Sequence, residues 1–181
     1  HTKSMNSPMK ACSPFALALL FLLAPPSLSA TAGPKVPALN SSTPENQLMT
    51  LLPLLEKGEI SLMQSRPDGS LSQVTVIGLV RASRKKIWSV LTDYSHYVGF
   101  MPNLEEVRIA KREGEDVVIQ YELEVPGVNL DYTLRHRHKP KERIDIFLEN
   151  DEGDIQTGAW RWEIKSLPDR QDCLLIYQLA T

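Results

Sequence analysis

From Glu59 onward, apolar and polar side chains alternate with a period of two, the mark of strands with one face in a core and the other in water. Val117, Ile119, Tyr121, Leu123 and Val125 alternate with Val118, Gln120, Glu122 and Glu124; Leu130, Tyr132 and Leu134 alternate with Asp131, Thr133 and Arg135. Trp160, Trp162 and Ile164 repeat the pattern against Arg161, Glu163 and Lys165. The pattern predicts strands over 59–65, 71–82, 107–111, 117–125, 130–138, 144–149, 157–164 and 173–179. Their links are short turn signals: Pro67-Asp68-Gly69, Glu113-Gly114-Glu115, Pro126-Gly127, Pro140-Lys141, Glu152-Gly153-Asp154 and Pro168-Asp169. Parallel neighbours would need crossovers of about a dozen residues, so the sheet must be largely an antiparallel meander.

Two segments carry the helical period instead. Leu48, Leu51, Leu52 and Leu55 follow Pro44-Glu45 at three- and four-residue spacings up to Gly58, with Pro53 as a flaw in the middle. Ser83 caps a second helix, expected to run to about Asp93, with Ile87, Val90, Leu91 and Tyr94 on one face. One such helix is too small to cover three strands of large inward side chains, so either another helix or a guest molecule must fill that side.

The first 32 residues read as a cleavable leader. Lys10 precedes the unbroken apolar run Phe15 to Ala24, and Ala30-Thr31-Ala32 offers a small-x-small cleavage pattern, so export to the periplasm or the exterior is expected, with a cut after Ala32. The apolar run falls short of the ~20 residues that span a bilayer. His1 to Ser4 precede the first methionine and stand apart from this signal. A Pro- and Ser-containing linker over 33–47 leads into one domain over 48–181. With 42% hydrophobic and 23% charged residues the composition is that of a globular protein. The formal charge of −2 becomes −4 without the leader, 18 basic against 22 acidic residues, which argues against nucleic acid as a partner. Cys12 leaves with the leader, so Cys173 stands alone in the mature chain and is read as a small buried hydrophobe in a strand.

Several stretches carry a resemblance: Leu55-Glu56-Lys57-Gly58-Glu59-Ile60, Ile77-Gly78-Leu79-Val80-Arg81-Ala82, Ile87-Trp88-Ser89-Val90-Leu91-Thr92-Asp93-Tyr94 with Phe100-Met101-Pro102, and Gly158-Ala159-Trp160-Arg161-Trp162. From about Leu51 onward the chain resembles the START-like SRPBCC superfamily, in its polyketide cyclase/dehydrase and coenzyme Q-binding branch. The resemblance implies an α+β helix-grip fold, a curved antiparallel sheet wrapped around a long C-terminal helix with a hydrophobic cavity between them. It also implies that this helix would follow Thr181, so the chain is expected to be incomplete at that end and poorly soluble as it stands.

Trp160, Trp162, Tyr121, Leu123, Tyr132 and Leu134 fall on apolar strand faces, where they either line a ligand pocket or simply pack the core. Phe100 and Met101 belong at the mouth of that pocket or to ordinary loop packing. His136 and His138 share a strand face about 7 Å apart. A metal would need a third ligand from His96 or a distant carboxylate, and the surrounding Arg135, Arg137, Lys139 and Lys141 make a positively charged strand end the favoured reading. Asp93 at a helix C-terminus opposes the helix dipole and needs a loop donor or basic partner. No phosphate loop, nucleophile elbow, HExxH or CxxC is present, so no catalytic residue, metal or cofactor is assigned. The expectation is an exported protein that carries a lipid, quinone or similar apolar molecule, with transient membrane contact. The alternatives are a cyclase or dehydratase steering a polyketide-like substrate with Tyr121, Tyr132 and His136, and a groove for a protein segment.

Overall fold

The computed structural model describes residues 49–149 and 158–180, so the leader, the linker and the Glu152-Gly153-Asp154 turn lie outside the described residues. Helix α1 (Leu52–Leu55) is followed by β1 (Ile60–Ser65) and β2 (Leu71–Val80), then by α2 (Arg84–Leu91) and a 3-10 helix (Tyr94–Gly99). Six strands complete the order: β3 (Leu104–Glu113), β4 (Asp116–Val125), β5 (Val128–Lys139), β6 (Arg143–Leu148), β7 (Ala159–Ser166) and β8 (Cys173–Ala180). They form one eight-stranded antiparallel sheet in the order β1-β2-β8-β7-β6-β5-β4-β3.

Each expected strand is present, with its ends shifted by a few residues. Pro53 sits in the first turn of α1, where its missing N–H removes no helical bond, which is why the helix tolerates it. Gly69, at a φ of 85°, closes the β1–β2 hairpin, and the Asp68 carboxylate accepts from the Ser70 amide at 2.8 Å. Ser83 caps α2 as expected, its hydroxyl accepting from the Lys86 amide at 3.3 Å. The helix stops at Leu91, two residues before the expected end, and Tyr94 opens the 3-10 turn instead of closing the helix.

The six strands from β3 to β8 follow one another as a meander, but β8 then pairs with β2. The segment between β2 and β3 is the one that goes helical, and it carries the chain from one part of the sheet to the far edge. Ile87, Leu91, Tyr94 and Tyr97 from this segment join the main core with the inward residues of β2 to β8. That side of the curved sheet is the inner face. On the outer face α1 buries Leu52 and Leu55 against Ile77, Leu167, Leu174 and Ile176. Both faces of β8 are therefore covered, and Cys173 to Ala180 are all buried, Cys173 as a free thiol. Sheet and short helices make up that part of the expected helix-grip arrangement; among the described residues no helix follows β8.

Candidate functional site

Strand register brings together residues far apart in sequence. Directly paired residues share a face, so the pairing runs across the inner face as rows. One row reads Val117, His136, Ile146, Trp160, Leu179 and Val74 from β4 to β2. The next, two residues along each strand, reads His138, Ile144, Trp162, Tyr177 and Val76. Each row thus has a histidine on β5, an isoleucine on β6 and a tryptophan on β7. Histidine and tryptophan of one row are two strands apart, roughly 10 Å.

Above the histidine end, the Tyr94 hydroxyl lies 2.7 Å from His138 Nε2 and 3.3 Å from His136 Nδ1, while Tyr121 Oη lies 3.1 Å from His136 Nε2. Burial pushes the His136 imidazole down to about 3, with the nearby His138 adding to the effect, so His136 is neutral at ordinary pH. A neutral ring donates from one nitrogen and accepts at the other. One assignment uses every hydroxyl proton: Tyr121 donates to His136 Nε2, His136 Nδ1–H donates to Tyr94 Oη, and Tyr94 donates to His138 Nε2. In the reverse polarity the Tyr121 proton must find another acceptor. Burial raises Tyr94 and Tyr121, so both keep their protons and their donor role. His138 is half-buried, shifted down by burial, and meets the Trp88 ring edge-on at 5.4 Å. Tyr97 donates to the Leu91 carbonyl at 2.6 Å, which ties the 3-10 turn to α2.

This arrangement corrects the reading of His136 and His138 as a positively charged strand end. Arg135, Arg137 and Lys139 alternate with the histidines and therefore point to the outer face. There Arg135 bonds Glu149 and Asp116, Arg137 bonds Asp116, and Arg143 and Arg161 share Asp145 at 2.8 and 2.6 Å. Of the buried polar or charged side chains Gln73, Thr75, His136, Asp145 and Gln178, only His136 is on the inner face. Asp93 has the partners expected of it: its carboxylate lies 2.7 Å from His96 Nδ1 and accepts from Ser95 at 3.0 Å, and these bonds hold it below the usual carboxylate range. Among the described residues no three His, Cys, Asp or Glu side chains gather as a metal site.

Tyr121, Leu123, Tyr132, Leu134 and Trp160 are all buried in the inner core, and Trp162 and Met101 pack against it. Tyr121 stacks on Tyr132 at 5.4 Å, and Trp162 lies 4.7 Å from Tyr177. Phe100 is 40% exposed, with its ring edge-on to Tyr97. Sequence reasoning passed over Tyr177, because β8 is apolar on both faces and shows no alternation. It took Tyr94 for the last turn of a helix, and only the tertiary contact with β5 reveals its place.

The family model for polyketide cyclase/dehydrase and lipid transport matches residues 80–181. Among solved structures, the Zhui aromatase/cyclase from Streptomyces sp. R1128 is similar with a TM-score of 0.53 and 22% identity, over 59% of this chain and 65% of that one. The chain thus spans just under two thirds of that protein. A START superfamily protein from Mycobacterium smegmatis gives a TM-score of 0.52 at 20% identity, over 60% and 75%. A STAR-related lipid transfer protein from Xanthomonas axonopodis gives 0.51 at 12% identity, over 67% and 81%. At these identities the likeness is one of fold. No curated protein matches the chain.

Proposed function

The chain belongs to the polyketide cyclase/dehydrase and lipid transport family, within the START-like SRPBCC superfamily, and from that premise we propose that it binds a hydrophobic small molecule, a lipid or similar, against the inner face of its sheet. The observation that carries this reading is the inner face itself. It presents Trp160, Trp162, Tyr121, Tyr132 and Tyr177 around Ile144 and Ile146, and His136, buried on the same face, is neutral. Burying an apolar guest there draws on roughly 25 cal/mol per Å² of area removed from water. His136 has partners at both ring nitrogens, so it orders Tyr94 and Tyr121 and has no free nitrogen with which to move a proton on a bound molecule. This favours carriage or sequestration over the cyclase or dehydratase chemistry that a relative bears in its name.

The test is organic extraction of the full chain purified from cells, followed by mass spectrometry and titration with an apolar fluorescent probe. An extractable apolar species, and probe binding weakened at least tenfold in Trp160→Ala/Trp162→Ala, are expected. A protein that is empty and binds no apolar probe refutes the proposal. We place the role outside the cytoplasm on the strength of Lys10, the Phe15 to Ala24 run and Ala30-Thr31-Ala32. N-terminal sequencing of exported protein starting at Gly33 is expected, and an intact, cell-retained chain overturns that placement.

A further inference from the structure

Among the described residues, the indole N–H of Trp160 is a buried donor without an acceptor. Trp160 is 5% exposed, and its Nε1 has no hydrogen-bond partner among the described residues. Buried donors nearly always find acceptors, so an orphan on the face that would hold a guest is a feature to be explained. The other orphan, the Gln178 carboxamide, is on the outer face beside Leu174 and Ile176 and has no bearing on the same guest.

The benzo edge of the ring is crowded on one side. A Cβ built at Gly158 would come within 2.7 Å of Trp160 Cη2 and 2.9 Å of Cζ2, so the backbone at Gly158 already lies against the benzo edge. Ile146 and Leu179 flank Trp160 as its direct neighbours on β6 and β8, and neither offers a side-chain acceptor. Two strands away, the Tyr94, His136, His138 and Tyr121 groups are already bonded to one another. The tryptophan end of the row therefore keeps an unpaired donor in an apolar setting with no buried cation among the described residues.

We infer that the guest carries an uncharged hydrogen-bond acceptor, a ketone or ester carbonyl, that receives the Trp160 Nε1–H while its hydrocarbon part lies over Ile144, Ile146 and Trp162. This rests on the binding function proposed above and specifies its ligand class. A donor in an apolar site selects strongly between isosteres that do and do not offer an acceptor, because the guest without one leaves the N–H buried and unpaired.

The experiment uses the full chain, wild type and Trp160→Phe, with two matched probes, 2-acetylnaphthalene and 2-ethylnaphthalene. Affinities come from calorimetry, and the indole N–H of the three tryptophans is followed by ¹⁵N-resolved NMR, with the Trp160 signal identified by its loss in Trp160→Phe. The wild type should bind the ketone about tenfold more tightly than the ethyl compound, the worth of one hydrogen bond. Trp160→Phe should bind both alike, and only the ketone should move the Trp160 N–H proton downfield. If the wild type binds both probes equally and the N–H signal responds to both alike, the carbonyl assignment falls while the apolar site stands. If neither probe binds, the binding function fails and the assignment with it.

Discussion

Acidification from pH 7 to pH 5 should destabilise this fold through His136. Free histidine titrates near 6.5, whereas burial inside the core pushes His136 down to about 3. Between those values the unfolded chain holds a proton that the folded chain does not, so the unfolded state gains as the pH falls. The full contribution is present above about 6.5, declines through the window, and stops declining near 3. At pH 5 the loss is about 2 kcal/mol, from the linkage relation applied to this one group. His138, shifted down by burial with Arg112, Glu115 and Asp116 around it, acts in the same direction. The assay is urea denaturation at pH 7 and pH 5 for the wild type and His136→Phe. With a slope of about 2 kcal/mol per molar urea, the wild-type midpoint should fall by about 1 M or more, and the variant should lose most of that dependence. His136→Phe starts from a lower stability at pH 7, because Tyr94 and Tyr121 lose a partner, so the comparison is of slopes. In the wild type, the His136 ring signals should stay fixed in NMR spectra between pH 7 and 4.5. Equal midpoint shifts in both proteins, or a His136 ring that titrates above pH 5, would refute the reasoning.

Three further substitutions probe the parts that hold the site. Gly158→Ala forces a Cβ against Trp160 at a φ of 151°, and should cost about 1–3 kcal/mol, read as a lower melting temperature; an unchanged melt would show that the ring is not wedged. Ile119→Ala empties a fully buried position in β4 and should cost about 2–5 kcal/mol by urea denaturation, with a loss under about 1 kcal/mol contradicting its place in the core. Ser83→Ala removes the cap from α2 and should cost about 1 kcal/mol, with Ser83→Asp restoring it. If the aspartate variant is no better than the alanine one, the cap bond has no energetic weight.

Much of the fold was legible because strand alternation is local: each residue's own backbone sends its side chain to one side or the other. That is enough to place Tyr121, Leu123, Tyr132, Leu134, Trp160 and Trp162 toward one core, and capping preference and the helix dipole, equally local, put Ser83 at a helix start and Asp93 in need of a partner. The same alternation already put Arg135 and Arg137 opposite His136, although their closeness in sequence suggested a charged cluster. What it left open was whether the inward histidine meets water or a packed layer, and that depends on Tyr94 and Tyr121 arriving from other elements. Nor does any local pattern say that β8 returns to β2, or that His136, Ile146 and Trp160 align in one row. Register between strands is settled by which pairing buries the most apolar surface for the loop entropy spent, a property of contacts distant in the chain. The sequence by itself therefore determined which side chains face inward, and the tertiary structure alone decided which become neighbours, and so where a buried donor is left without its acceptor.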